Sequence, residues 1–548
     1  MKPTQGDELP NFTGAETQAN DISDKEATAI APEGIRAAPL GRHAAHGAAW
    51  SLLQTAGSKA VGVVSQLVLG YFLTQKSFGM AATALTITGF SAVTLKFGMT
   101  EVLVQRHKEF DRWQNAALRV SLVSGAISAA LTMLAAPLAV WRYGNSTVGW
   151  LIALLAISTL GDSLSACPTA KLQVDLRFRT QSVVAIGGNI LLAGLTVLFA
   201  LTGFGPFAII LPRMIVSWVQ AAVFWSLTGR PAGPRADGPW RALISDGAAV
   251  AGSNYLGNVI QCGDYLSLSL LRPLPVLGVY YFAYNMSTQM IQVMAANLGG
   301  ALFAILSKLK DERERQAEAF LKASRVMCLL VMPFCVLQAA IAGPALRLLW
   351  GHRWDAAIPV LQILSIGMAF TVTAGGTTAL IQSQGRFRFQ LVWQAIVAAT
   401  FLAFVVTGAL LGEAISVSIA VCIFCISLNP IGTYMALRPA RVPWRKLLPV
   451  YLKPFFYASV AIGFAEFLKW SMFHFIPSLI GLVTAWPERL NNFLECSAIS
   501  LLSMLGYLVL VRIFSPRDAG TVQESVQMFT SRFTARKTSQ KIAGGANV

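Results

Sequence analysis

The sequence predicts an all-α membrane protein of about 14 transmembrane helices, with two six-helix parallel repeats forming two lobes around a central cavity and two extra C-terminal helices. Three observations lead there. The 548-residue chain is 55% hydrophobic and only 13% charged, with a mean hydropathy of +0.57, which leaves too little polar surface to close a soluble globule of this size. Its apolar residues gather in segments of about 20, the length that crosses the hydrocarbon of a bilayer. The chain also carries a copy of itself. TAKLQVDLRFR at 169–179 returns as TALIQSQGRFR at 378–388, HGAAW at 46–50 as DGAAV at 246–250, and the pair Pro137 and Gly144 as Pro344 and Gly351, at an offset of about 200 to 209 residues.

Residues 1–45 mix Asp, Glu, Gln, Thr, Pro and Ala without an apolar run, so they are expected to be a disordered cytoplasmic tail with no signal-peptide core. Apolar segments follow near 48–74, 80–100, 115–140, 149–170, 180–202 and 206–228, giving an N-lobe over 46–228. A cytoplasmic linker at 229–245 leads to segments near 246–270, 277–305, 322–343, 356–384, 389–411 and 414–437, the C-lobe over 246–437. Two more, near 452–474 and 493–514, fill 438–514, and a basic cytoplasmic tail occupies 515–548. Six crossings return a chain to its starting side, so the two copies run parallel, about an axis along the membrane normal.

Lys and Arg crowd the loops on one side, among them Arg106, Lys108, Lys171, Arg177, Arg179, Arg230, Lys308, Lys310, Arg386, Arg388 and Arg438. The opposite loops offer only Lys76, Arg142, Arg272, Arg347, Arg353 and Arg489. Positive loops resist translocation, so both termini are expected in the cytoplasm. The net charge of +17 then reflects loops and a tail facing anionic lipid, and no nucleic-acid partner is expected. The repeated Arg-Phe-Arg reads as an interfacial anchor, with a first capture site for an anion as the alternative. Of the seven cysteines, all but Cys496 fall within apolar segments away from His or carboxylate clusters; they read as packing residues, and no cofactor or metal is expected.

Three stretches carry a family resemblance. LTQKSFGMAATALTITGFSAVTLKFGMTEVLVQR at 73–106 has an FG pair opening the second segment and a Gly closing it, LGVYYFAYNMSTQMIQVM at 277–294 opens the eighth, and LLWGHRWDAAIPVLQILSIG at 348–367 enters the tenth. Their order and spacing resemble the polysaccharide transporter family of Wzx-type flippases, in a superfamily with MATE-type exporters and lipid II flippases. The resemblance spans roughly residues 45–450. It implies a bacterial inner-membrane protein that moves an undecaprenyl-pyrophosphate-linked oligosaccharide between leaflets by alternating access, driven by an H+ or Na+ gradient, alongside a polysaccharide polymerase and export machinery.

A pyrophosphate needs cations inside the lobes, where a lone charge is otherwise costly. Lys59, near the middle of the first segment, and Arg213, following Pro212 in the sixth, are candidates, with Lys96 and Arg119 nearer the cytoplasmic ends. The latter two also read as snorkelling residues. Asp162 and Asp264 are candidates for ion coupling, since a carboxylate in a dry setting can load and release a proton; a fixed ion pair with Lys59 or Arg213 is the alternative. For sugar hydroxyls, Asn254, Asn258, Gln261 and Tyr265 form one helical stripe, and Tyr281, Asn285, Gln289 and Gln292 another. Such stripes also serve helix association. A polymerase or ligase would need a sizeable charged outer loop, whereas the longest here, about 475–492, holds only Glu488 and Arg489, so no enzyme is expected. A MATE-type exporter of organic cations is the nearer rival.

Overall fold

In the computed structural model the described residues are 57–58, 61–92, 99–105, 110–229, 240–294, 298–475, 487–516 and 520, all within one compact unit, Gln54–Val548. They are helical throughout, joined by short turns. The N-terminal tail, Lys59, Lys96 and most of the C-terminal tail lie outside them.

The first-half helices are α1 Val61–Phe72, α2 Gln75–Ser91, α3 Met99–Gln105, α4 Phe110–Tyr143, α5 Ser146–Val174, α6 Phe178–Leu201 and α7 Phe207–Thr228. The second half holds α8 Trp240–Leu271, α9 Leu274–Met294, α10 Leu298–Lys308, α11 Arg313–Trp350, a 3₁₀ segment Gly351–Ala357, α12 Ile358–Ala369, α13 Ala374–Ser383, α14 Phe387–Leu411 and α15 Ala414–Leu437. After a short 3₁₀ turn, α16 Trp444–Phe475 and α17 Glu488–Phe514 complete the chain's helices. Among the described residues, nine helical stretches are long and apolar enough to cross a membrane. Large apolar side chains such as Trp141, Trp150 and Leu411 stand exposed on them, as lipid-facing residues do.

Local chemistry sets several boundaries. Thr74 caps α2 by accepting from the Ser77 N–H at 3.2 Å, and Asn145 caps α5 by accepting from the Thr147 N–H at 2.9 Å. Gly144 and Gly351 end α4 and α11 with φ of +60° and +63°, a left-handed turn that strains any residue with a Cβ. The tenth segment differs from the single helix expected. Bonds of the tighter i to i+3 kind at Phe370, Thr371 and Ala374 break it into α12 and α13, and the Thr373 hydroxyl there turns to Tyr451 and Thr433. α8 also begins earlier than expected, at Trp240.

Packing partners recur between the halves. In the first, α5 packs on α2, α4 and α7, and α6 on α7; in the second, α12 packs on α9, α11 and α15, and α14 on α15. The halves meet where α2 crosses α9, and two glycines permit that crossing. A Cβ on Gly79 would sit 1.9 Å from the Leu274 carbonyl oxygen, and one on Gly278 only 1.8 Å from that of Gln75. Each glycine thus faces the residue four before the other, as a two-fold relation requires. α16 and α17 pack on each other and on α11.

Candidate functional site

A polar cavity of about 190 Å³ opens on the join between the halves. α1 contributes Ser58, which precedes its described span, with Ser65, Gln66 and Leu69; α6 contributes Asn189 and Thr196, α7 Arg213, and α9 Tyr281, Asn285 and Gln289. No carboxylate lines it among the described residues. Arg213 is exposed to this space and has no salt bridge among the described residues. α7 continues through the buried Pro212, whose missing N–H leaves the Ala208 carbonyl without its i+4 donor.

The amides around Arg213 are partly committed. Asn189 donates from Nδ2 to Ser58 Oγ at 2.7 Å, tying α6 to the first helix, and Asn285 donates from Nδ2 to the Tyr281 carbonyl at 2.8 Å. Gln66 Nε2 and Gln289 Oε1 are buried with no hydrogen-bond partner among the described residues, one a donor and the other an acceptor. A guanidinium with amides of both senses can hold an oxyanion and neighbouring hydroxyls.

Three of the expected site residues therefore meet: Arg213, Asn285 and Gln289. The rest do not join them. Lys59 and Lys96 lie outside the described residues. Arg119 is exposed on α4, and Asp162 is exposed on α5; neither lines the cavity. Asn254, Asn258 and Gln261, expected on the cavity wall, ride on a face of α8 that turns elsewhere: Asn258 lies against Gly89 of α2, and Gln261 is exposed. The rotation of α8, set by its packing on α14 and α2, decides this.

Asp264 is fully buried. Its Oδ2 accepts from the Tyr280 hydroxyl at 2.8 Å, and its Oδ1 accepts from the Tyr265 N–H at 2.8 Å. Tyr265 packs its ring on those of Tyr280, Tyr281 and Tyr284 at centroid distances of 5.9, 5.3 and 5.4 Å. No salt bridge to Arg213 forms, so that half of the ion-pair alternative is not what holds this carboxylate. Tyr281 belongs to both groups, with one side in the tyrosine cluster and the other in the cavity.

Gln66, Ser65, Ser58 and Asn189 were not foreseen from sequence. A signal for three of them existed: Ser58, Gly62, Ser65, Gln66 and Leu69 fall on one face of the first segment at helical spacing.

Comparison with known proteins agrees with this architecture. A family model described as "Polysaccharide biosynthesis protein" matches residues 68–359. The chain is 24% identical over 432 residues to the succinoglycan biosynthesis transport protein ExoT of Rhizobium meliloti (strain 1021), covering 76% of this chain and 85% of the relative. It is 22% identical over 435 residues to the lipopolysaccharide biosynthesis protein WzxC of Escherichia coli (strain K12), covering 76% and 87%. The fold is similar to the inward closed lipid II flippase MurJ, with a TM-score of 0.68, 13% identity, and coverage of 85% of this chain and 99% of that one. An outward-facing multidrug resistance transporter of the MATE family aligns with a TM-score of 0.52 at 16% identity over 72% and 95%. With more than half of its length within one family model, this multi-pass membrane chain belongs to the polysaccharide biosynthesis protein family.

Proposed function

We propose that the protein flips undecaprenyl-pyrophosphate-linked oligosaccharide units from the cytoplasmic to the periplasmic leaflet of the bacterial inner membrane, for assembly of an exopolysaccharide, capsule or O-antigen. The observation that carries this is the cavity itself: among the described residues, a guanidinium with no salt bridge, no carboxylate in the lining, and amides from both halves. That chemistry suits a pyrophosphate with sugars attached. It would repel the organic cations a MATE-type exporter carries. Relatives named for succinoglycan transport and lipopolysaccharide biosynthesis support the same substrate class.

In this reading fourteen helices form two parallel six-helix lobes with α16 and α17 outside them, and the recurring helix pairings support that division. Both termini are cytoplasmic, as the basic loops favour. Arg213 holds the pyrophosphate together with Lys59, and Lys96 and Arg119 guide its entry. Asn285, Gln289 and Gln66 receive sugar hydroxyls. Asp264 and Asp162 couple transport to an H+ or Na+ gradient, and Tyr281 links the Asp264 cluster to the substrate space. A polymerase and export machinery take up the product.

The test is accumulation of labelled lipid-linked oligosaccharide on the cytoplasmic face of cells lacking the protein. Wild type and Arg213→Lys should relieve it fully and in part, and Arg213→Ala should fail at equal expression. No accumulation, with new sensitivity to cationic dyes, would overturn the assignment in favour of drug export.

A further inference from the structure

The last carbonyls of a helix have no partner within it, and at membrane depth something else must satisfy them. At the end of the molecule opposite the Arg-Phe-Arg loops, each half supplies those partners for the other. α1 ends at Phe72, and its final carbonyls are met from the end of α11 and the 3₁₀ segment after it. Trp354 donates its indole N–H to the Gly70 carbonyl at 2.9 Å and the Arg353 guanidinium donates to that of Tyr71, while one turn earlier Trp350 adds an indole N–H to the Leu67 carbonyl at 2.9 Å. Gln75 returns a bond from Nε2 to the Arg353 carbonyl at 3.1 Å. The close seat of Trp350 requires a glycine, since a Cβ on Gly70 would lie 2.6 Å from the indole nitrogen.

The counterpart stands across the join. α8 ends at Leu271, and there Tyr143 donates its hydroxyl to the Ser269 carbonyl at 2.7 Å while Arg142 donates to that of Leu270 at 2.6 Å. Tyr143 and Trp350 each immediately precede the left-handed glycine that ends their helix, Gly144 and Gly351. In both places the third long helix of one half caps the first helix of the other.

Beside the α1 cap lies an aromatic plug. Trp354 stacks on Phe282 at 3.9 Å, and Phe78 meets Trp354 edge-on at 5.3 Å. Phe78 and Leu69 also line the polar cavity, so the plug is the cavity's wall toward this end.

We propose that these reciprocal caps are a pair of latches that hold the polar cavity shut toward the end opposite the basic loops, and that both must release for the cavity to open there. Separating the halves strips the indole, phenol and guanidinium donors from α1 and α8 together. The bared carbonyls then need water, so opening and wetting of the passage are one event.

The test introduces Ser65→Cys into the cavity and measures its labelling by a membrane-impermeant thiol reagent applied to the side opposite the basic loops, with the unaltered protein and its own cysteines as blank. Labelling should be slow alone. It should rise roughly fivefold or more on adding Trp350→Phe with Trp354→Phe, which keep ring contacts but remove two donors, and by less with Tyr143→Phe. Trp141→Phe, on the lipid-facing surface, should change nothing. Unchanged labelling in both latch variants, or an equal rise with Trp141→Phe, overturns the proposal. Tyr143→Phe, a loss of one hydroxyl, keeps the test open where the double variant fails to fold. The readout needs no substrate, so it stands or falls apart from the reading of the cavity.

Discussion

The polar cavity and the seam that walls it occupy the same join between the halves, yet they are built by opposite rules. In the seam the polar backbone groups of the crossing are met, the rings interlock, and the backbones of α2 and α9 touch at Gly79 and Gly278. In the cavity, among the described residues, Gln66 and Gln289 leave polar atoms unmet and Arg213 has no salt bridge. A surface that must close to one geometry is specified tightly; a surface that must receive a sugar leaves hydrogen-bonding capacity open.

The sharpest way to break this contrast is in the seam. Gly79→Leu drives a side chain into the Leu274 carbonyl and should destabilise the protein by about 3 kcal/mol or prevent its accumulation, whereas Gly89→Ala, whose nearest neighbour is 3.7 Å away, should unfold at the wild-type temperature. Thermal unfolding in detergent reads both. Equal behaviour of the two would mean the crossing is not tightly packed.

In the cavity the expected loss is functional. Arg213→Ala should lower transport by roughly tenfold to a hundredfold, the worth of charge-assisted hydrogen bonds, with the unfolding temperature unchanged. A drop in stability without a drop in transport would make Arg213 a structural residue. A smaller effect returns to the seam: Trp354→Phe keeps the stack on Phe282 but leaves the Gly70 carbonyl short of a donor, at a cost of about 1 kcal/mol.

The smallest effect lies on the surface beside the latch. His352 contacts Asp355 through Nδ1 at 2.9 Å and Glu488 of α17 through Nε2 at 3.1 Å, and Arg347 also reaches Asp355. The hydrogen bond to Asp355, then the charges of Glu488 and Asp355, raise the imidazole above its usual 6.5. A raised folded value means the tether is complete below about pH 6.5 and fades as pH rises through the folded value. Hydrogen exchange at the start of α17, corrected for intrinsic rate, should therefore be slower at pH 6 than at pH 8, and His352→Asn should erase the difference. The pair is exposed, so the change is slight.

Much of this was legible in sequence. Apolar segments gave the all-helical, membrane-spanning class, the paired glycines at 144 and 351 marked two helix ends, and Arg213, Asn285 and Gln289 were singled out by charge and helical spacing. What was hidden depends on rotation and pairing. Helical spacing placed Asn254, Asn258 and Gln261 on one face of α8 but carried no information on which way it turned. Gln66 looked ordinary in a segment read only for its lysine. The break between α12 and α13 rests on threonines whose partners, Thr433 and Tyr451, are distant in the chain. Nor could sequence tell that Tyr143 and Trp350 answer each other, because each serves a helix of the opposite half.

The most direct measurement is made on purified protein in sealed vesicles carrying a fluorescent lipid-linked oligosaccharide, with an impermeant quencher reporting the leaflet it occupies. Wild type should move the label between leaflets, and Arg213→Ala, folded and equally abundant, should not. Movement at the same rate with Arg213→Ala, or no movement by wild type under an imposed H+ or Na+ gradient, would contradict transport through this cavity.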